Sequence, residues 1–259
     1  MRVDFFICGV QKGGTTALDS FLRAHPDIQM ARPKETHFFD NEKMRWANPD
    51  YARLHGFFEP RRPRPLRGEA TPIYSYWPRA LERLQRYNPE AKLILMLRHP
   101  VLRAWSHWRM ETARGWETLP FAEAIRPAAR ERVSTAPRGA HRVHSYVERG
   151  FYAGQVARLL DLFPAEQLLF LRTDALWNEP AATLAKVHAF LGVPGTGEAE
   201  QRYVAPRVSG EDDRSATLDP ADAAYLADLF AEDIVETARL TGLDLRDWLG
   251  VPSSDPMRP

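Results

Sequence analysis

The residues best suited to chemistry stand near the start of the chain. Gly9-Val-Gln-Lys-Gly-Gly-Thr-Thr16 sets Lys12 ahead of the pair Gly13-Gly14 and follows it with two hydroxyls, Thr15 and Thr16. Glycines there let backbone N–H groups close on a phosphate, a helix opening at the turn adds positive potential, and Lys12 contributes a mobile charge. A glycine-rich turn alone is weak evidence, and its plain alternative is a structural turn. The strand before it and the helix after it give it weight. The order of residues also discriminates. A nucleoside-triphosphate loop needs Gly-Lys-Ser/Thr, so that lysine reaches the β- and γ-phosphates and the hydroxyl holds magnesium. Here the lysine precedes the glycines, which suits a compact 5′-phosphate, and no apolar strand ends in an aspartate that would partner magnesium.

Glu35 and His37 lie in the polar stretch Arg32-Pro-Lys-Glu-Thr-His-Phe-Phe-Asp40. A glutamate with its ordinary pKa near ~4.3 is ionised at neutral pH and accepts a proton; an imidazole near ~6.5 does the same. Two residues apart on an extended segment they share a face, so either can act as base while the other orients it. Arg98 closes the apolar run Lys92–Leu97, at the strand end where α/β folds place ligands; its alternative is a structural ion pair. His99, His107, His141 and His144 are scattered, with no cysteine in metal-ligand spacing, so no metal is expected.

Positioning these groups requires alternating elements. Asp4–Val10 is a continuous apolar and aromatic run, as expected of a parallel strand covered on both faces. Leu18, Phe21 and Leu22 predict a helix over Thr15–His25, stopped by Pro26. Residues 41–68, rich in Pro, Arg and aromatics, read as irregular, and Glu69–Tyr74 as a strand end and turn. Helices are expected over Pro78–Tyr87, Val101–Thr112, Phe151–Phe163, Pro180–Leu191 and Pro220–Leu240, with strands at Lys92–Leu97 and Gln167–Leu171. A short helix is expected near Phe121–Ala129, and loop over Gly192–Asp219. This order implies right-handed βαβ units and an α/β fold, a P-loop-like three-layer arrangement with a central parallel β-sheet flanked by helices. No repeat, low-complexity run or linker divides residues 1–259, so a single domain is expected.

Composition narrows the partners. With 35 basic against 34 acidic residues the net charge is +1, so no global field favours nucleic acid or a membrane surface, and any anion site must be local. Only five lysines occur, Lys12, Lys34, Lys43, Lys92 and Lys186, which makes one inside a glycine turn conspicuous. The single cysteine, Cys8, sits in an apolar run and reads as a buried, inert thiol suited to a reducing compartment. No signal-peptide pattern and no stretch near ~20 apolar residues is present, which reads as cytoplasmic.

At this point the residues resemble the family of sulfotransferases that use 3′-phosphoadenosine 5′-phosphosulfate (PAPS), in particular the branch with the heparan sulfate sulfotransferases and their bacterial relatives. Gly9–Thr16 looks like its 5′-phosphosulfate loop, and His25-Pro26 followed by Lys34–Asp40 like the segment that presents its catalytic carboxylate. Glu69-Ala-Thr-Pro-Ile-Tyr74 is similar to its next signature. Leu97-Arg98-His-Pro-Val-Leu-Arg-Ala-Trp-Ser106-His resembles its 3′-phosphate element, and Gly150-Phe-Tyr152 also has a counterpart. These segments stand in the family's order over residues 4–192.

The resemblance implies PAPS as donor, with adenosine 3′,5′-bisphosphate (PAP) as product. It implies Glu35 as general base with His37 as rival, and Lys12 stabilising the leaving phosphate. Nucleotide-binding roles follow for Lys12, Gly13, Gly14, Thr15, Thr16, Arg98, Ser106 and Tyr152, with Arg207 and Arg214 (beside Gly210) as candidates for the loop over the adenosine phosphate. Tyr152 also reads as plain core packing and Ser106 as a solvated helix serine. Ala70 replaces a lysine that the heparan enzymes often carry before Thr-Pro, so a lysine contact to substrate or sulfate is expected to be missing. The heparan enzymes' cysteine pair and membrane anchor are not seen either; these two absences suit a cytoplasmic bacterial enzyme and argue against a long glycan, which leaves a small natural product, or a saccharide, as the expected acceptor. Trp105, Trp108, Trp116, His141 and His144 lie in stretches that could wall the acceptor cleft. The rival readings are a P-loop kinase of a small metabolite, which needs magnesium, and a non-catalytic nucleotide-binding module.

Overall fold

The structure, a computed structural model, describes residues 1–59, 66–195 and 217–252. Five parallel strands form one sheet: β1 (Phe5–Gly9), β2 (Ile28–Met30), β3 (Leu66–Ala70), β4 (Lys92–Leu97) and β5 (Leu168–Arg172), in the order β2-β3-β1-β4-β5. The helices are α1 (Thr15–Ala24), α2 (Ala52–His55), α3 (Ala80–Tyr87), α4 (Pro100–Ala113), α5 (Phe121–Ala124), α6 (Pro127–Ser134), α7 (Ala153–Leu162), α8 (Thr173–Asn178), α9 (Pro180–Leu191) and α10 (Pro220–Thr241). The central parallel sheet flanked by helices is the architecture the alternating pattern predicts. β1 is buried along its whole length and β4 everywhere but Lys92, which is why both are apolar runs without alternation.

Two elements depart from expectation. The stretch 41–68 is not wholly irregular: it contains α2, and its last residues open β3. The sequence of β3, Leu-Arg-Gly-Glu-Ala, carries no strand propensity, and β2 is three residues long. Both are strands because the sheet recruits them. Gly68 pairs with Phe5 and Met30, and a Cβ there would lie 2.1 Å from the Phe5 ring and 2.6 Å from the Met30 sulfur, so only glycine lets the three strands close.

The chain divides into two compact units, Met1–Leu97 with Arg158–Ala205, and Arg98–Ala157 with Pro206–Pro259. The first holds the sheet and a core in which Phe5, Ile7, Leu18, Leu22, Ile94 and Met96 meet Leu171, Leu184 and Val187. In the second, α4 packs on α10, the Phe230 ring lies against Gly150 and Phe151, and Asp233 accepts the Tyr152 N–H at 2.7 Å. Among the described residues no helix is long and apolar enough to cross a membrane.

Within the sheet, β1 leads through α1 to the β2 side and β4 continues to β5 on the other. The connections therefore diverge at the C-terminal ends of β1 and β4, the switch point where such sheets bind ligands. The Gly9–Thr16 turn stands there. Thr173, at the start of α8, braces it: its hydroxyl lies 2.7 Å from the Gly13 carbonyl and 2.9 Å from that of Leu97. Thr173→Val keeps the shape but leaves these carbonyls without that donor, and is expected to cost about 1–3 kcal/mol. At about 2–4 °C per kcal/mol for a chain of this size, thermal unfolding should move down by several degrees. An unchanged melting temperature would show that the hydroxyl is not what braces the turn.

Candidate active site

The turn after β1 is shaped by its neighbours. The Val10 N–H donates to the Met96 carbonyl (2.9 Å), fastening the turn to β4, and the Gly13 N–H donates back to the Val10 carbonyl (2.9 Å). Lys12 is held at φ 69° and Gly14 at φ 80°. A Cβ on Gly13 would lie 2.7 Å from the Met96 oxygen and 2.8 Å from that of Val10, so no side chain fits there. The turn delivers the chain into α1 with Gly14 as N-cap and no side chain capping the helix. The first-turn amides of Thr15 and Thr16 have no carbonyl behind them within the helix, and the helix dipole places positive potential at this end. Thr15 is buried and Thr16 exposed. Lys12, Gly13, Gly14, Thr15 and Thr16 thus stand together on the turn that opens α1.

The second group lies on residues 34–40. Glu35 and His37 both have positive φ, 60° and 51°. Two left-handed residues flank Thr36, and the intervening peptides turn inward. Thr36 N–H and hydroxyl donate to Glu69 Oε1 (3.3 and 3.1 Å), and the N–H groups of Phe38 and Phe39 donate to the Tyr74 oxygen (3.1 and 3.4 Å). The side chains of Glu35 and His37 remain half-exposed, with His37 Nε2 3.7 Å from Glu35 Oε2. On its other side His37 Nδ1 is 2.9 Å from Oδ2 of Asp40, a fully buried carboxylate. Asp40, His37 and Glu35 therefore form a chain in which a buried carboxylate orients the imidazole and the imidazole faces an accessible carboxylate. The Lys34 ammonium donates to Glu35 Oε1 at 2.7 Å. Asp19, on the second turn of α1, accepts from Arg23 (3.0 Å), whose guanidinium also donates to the Met30 and Ala31 carbonyls (3.3 and 2.9 Å), so α1 is tied to the chain leading into this segment. The two candidate bases do stand side by side, but not because the segment is extended, as expected: both residues are left-handed, and the turns at each bring their side chains together.

Beneath this segment Glu69 is fully buried and its pKa is pushed up to about 7. Burial is the main cause and Asp40 adds like-charge repulsion, while hydrogen bonds from Thr71 and Thr36 pull the other way. Sequence reasoning quoted Asp40 and Glu69 only as parts of motifs. The offset of Asp40 from His37 carried some signal; the burial of Glu69 carried none.

The second unit holds Arg98, Ser106 and Tyr152. Arg98 is buried, directly after β4, and Tyr152, also buried, donates its hydroxyl to the Arg98 carbonyl at 2.7 Å. Ser106 is half-buried in the second turn of α4. Trp105 and Trp108 stack at 5.0 Å and pack on Phe121, whereas Trp116 is 59% exposed. His141 and His144 face each other at 4.6 Å; burial, then Arg132 and His141, push His144 down to about 4, so it is neutral at pH 7. Arg207 and Arg214 lie outside the described residues. Among the described residues no three His, Cys, Asp or Glu side chains are grouped to hold a metal ion.

The family described as "Sulfotransferase domain" matches residues 2–208. The chain is 34% identical over 196 residues to heparan sulfate glucosamine 3-O-sulfotransferase 6 of Homo sapiens, covering 72% of this chain and 51% of that protein. It is 33% identical over 193 residues to heparan sulfate glucosamine 3-O-sulfotransferase 3B1 of Mus musculus, covering 72% and 45%. The chain spans about half the length of the curated relatives it matches. Among solved structures, a sulfotransferase from Alicyclobacillus acidocaldarius superposes with a TM-score of 0.79 at 29% identity, covering 96% of this chain and 99% of that one.

The raised pKa of Glu69 has a consequence for stability. The folded group binds its proton more tightly than the unfolded one, whose pKa is 4.5, so its contribution is full below pH 4.5 and is lost as pH rises through about 7. The loss amounts to about 3 kcal/mol. The melting temperature of the wild type should therefore fall between pH 5 and 8 more steeply than that of Glu69→Gln. Parallel slopes in the two proteins would show that Glu69 titrates normally.

Proposed function

Because the chain belongs to the sulfotransferase family, we propose that it transfers a sulfuryl group from PAPS to a hydroxyl, or an amine, of a small-molecule or saccharide acceptor. What carries this reading is that one unit holds both a glycine turn that opens a helix N-terminus at Lys12 and the Asp40–His37–Glu35 chain. When bound, the nucleotide supplies a sulfuryl group activated on phosphate. Lys12, Gly13, Gly14, Thr15 and Thr16 would hold the 5′-phosphosulfate, and by the family resemblance Arg98 and Ser106 would take the adenosine 3′-phosphate, with Tyr152 fixing the backbone of Arg98. Residues 1–259 then serve as a single sulfotransferase domain.

Glu35 removes the proton of the acceptor and becomes a neutral acid, with His37, turned by Asp40, standing beside it. Lys12 places positive charge where the departing phosphate becomes more negative, which lowers the barrier more than equal binding of substrate and transition state would. The acceptor we favour is a small natural product, glycosylated or phenolic. Net charge of +1 suits it better than a long polyanion. The single cysteine, buried Cys8 with its thiol pushed up to about 12, suits a reducing compartment such as the cytoplasm. The position of Lys12 before the glycines disfavours the kinase reading, and Glu35 beside His37 disfavours a module that only binds nucleotide.

Calorimetric titration with PAP, 5′-AMP and ATP, each with and without magnesium, tests the donor. Tight, magnesium-independent binding of PAP is expected; preference for ATP with magnesium would overturn the reading in favour of a kinase. In turnover assays Lys12→Ala should lose on the order of 10²-fold or more in kcat. Glu35→Gln should abolish turnover while PAP binding persists. Near-normal turnover of Glu35→Gln together with an inactive His37→Ala would move the role of base to His37.

A further inference from the structure

Glu69 is an expensive residue to keep where it is. Its side chain is fully buried, every hydrogen bond it makes goes to Oε1, and Oε2 is buried without a partner. A buried carboxylate with an orphan oxygen costs folding free energy that an apolar core residue would not. The three donors on Oε1 are the Thr36 N–H, the Thr36 hydroxyl and the Thr71 hydroxyl. Two of the three thus come from the one residue that stands between Glu35 and His37.

The directions of these bonds form one consistent set. The Tyr74 oxygen receives the Phe38 and Phe39 N–H groups, which leaves its own proton for Thr36 Oγ1 at 3.4 Å; Thr36 then donates its proton to Glu69. Beside this network the Glu35 N–H donates to the Ala70 carbonyl at 3.0 Å, and Ala31 to that of Gly68 at 2.8 Å. The end of β3 is therefore a template along which the segment is laid, and Glu69 is the point at which its middle is held. Thr36 must be held because its neighbours are at φ 60° and 51°, a region that costs a non-glycine residue on the order of 1–3 kcal/mol. Released, both would relax to negative φ, a rotation large enough to turn their side chains away from each other.

We infer that Glu69 is a positioning residue for the reaction: through the Thr36 peptide it holds Glu35 and His37 in their left-handed conformations and so aims the proton-accepting pair. The inference rests on the reading of Glu35 and His37 as that pair. Glu69 itself needs no contact with substrate, and its role requires an acceptor oxygen at Oε1 rather than a negative charge.

Glu69→Gln, Glu69→Ala and Thr36→Val distinguish this from a role in stability alone. In each full-length variant we would measure kcat, PAP affinity by calorimetry, and amide hydrogen exchange across residues 34–40. Glu69→Gln retains an acceptor and should keep kcat within about threefold of wild type, whereas Glu69→Ala should lose about 30–100-fold, the penalty typical of a misaimed group. PAP affinity should stay within about threefold in both, and exchange over 34–40 should quicken at least about tenfold in Glu69→Ala alone. Wild-type exchange over 34–40 in Glu69→Ala would overturn the inference, as would equal losses of kcat in the Gln and Ala variants, since the charge itself would then matter. If Glu69→Ala does not fold, Thr36→Val decides, with a loss of about 5–10-fold in kcat expected and an unchanged kcat overturning the inference. Absence of sulfuryl transfer by the wild type would sink the functional reading instead, and the exchange comparison would then judge the anchor by itself.

Discussion

Lys12, Glu35 and His37 are ordinary L-residues held in the left-handed region of backbone space, where Cβ crowds the following carbonyl. Each such residue costs on the order of 1–3 kcal/mol and persists only where the surroundings over-determine it. The surroundings here do so twice, by different means. At the first turn the backbone is clamped between β1 and β4, with glycine where a Cβ would strike two carbonyl oxygens. At residues 34–40 it is held by inward-facing amides that reach Glu69 and Tyr74. Arg79 and Arg138 share this backbone region, so what sets Lys12, Glu35 and His37 apart is the density of partners that hold them.

The sheet makes this possible. A parallel sheet whose central strands are buried on both faces is rigid, and its switch point leaves the C-terminal ends of β1 and β4 free of a crossing connection. A turn placed there can be gripped by strand and helix alike, as Thr173 grips the carbonyls of Gly13 and Leu97. β3 lies next to β1, so the Glu69–Tyr74 segment at its end comes to lie beneath the residues that present Glu35 and His37. Neighbouring strands thus position the Gly9–Thr16 turn and the segment that carries Glu35 and His37.

Electrostatics follow the same division. Net charge is close to zero, yet positive potential collects at the α1 N-terminus, and His37 stands between the buried Asp40 and the accessible Glu35. Burial makes Glu69 reluctant to ionise, which limits repulsion with Asp40, while its Oε1 accepts from Thr36 and Thr71. Fields that act over a few ångströms inside a dry scaffold need no excess of charge over the whole chain.

Much of this was legible in the residues. The Gly9–Thr16 turn, the lysine ahead of its glycines, the apolar runs of β1 and β4 and the helix that follows Arg98 are local patterns, because the contacts that make them lie within a few residues or depend only on burial. Those patterns determined the fold class and the kinship to sulfotransferases. Only the tertiary structure decided that Leu-Arg-Gly-Glu-Ala is a strand, that Glu35 and His37 turn left-handed and that Glu69 is buried under Thr36. Each of these depends on a partner that the local pattern does not name, and Glu69 and Tyr74 stand more than thirty residues along the chain from the segment they hold. A backbone angle opposed by its own side chain is set by whatever holds it from outside, and no local propensity records that.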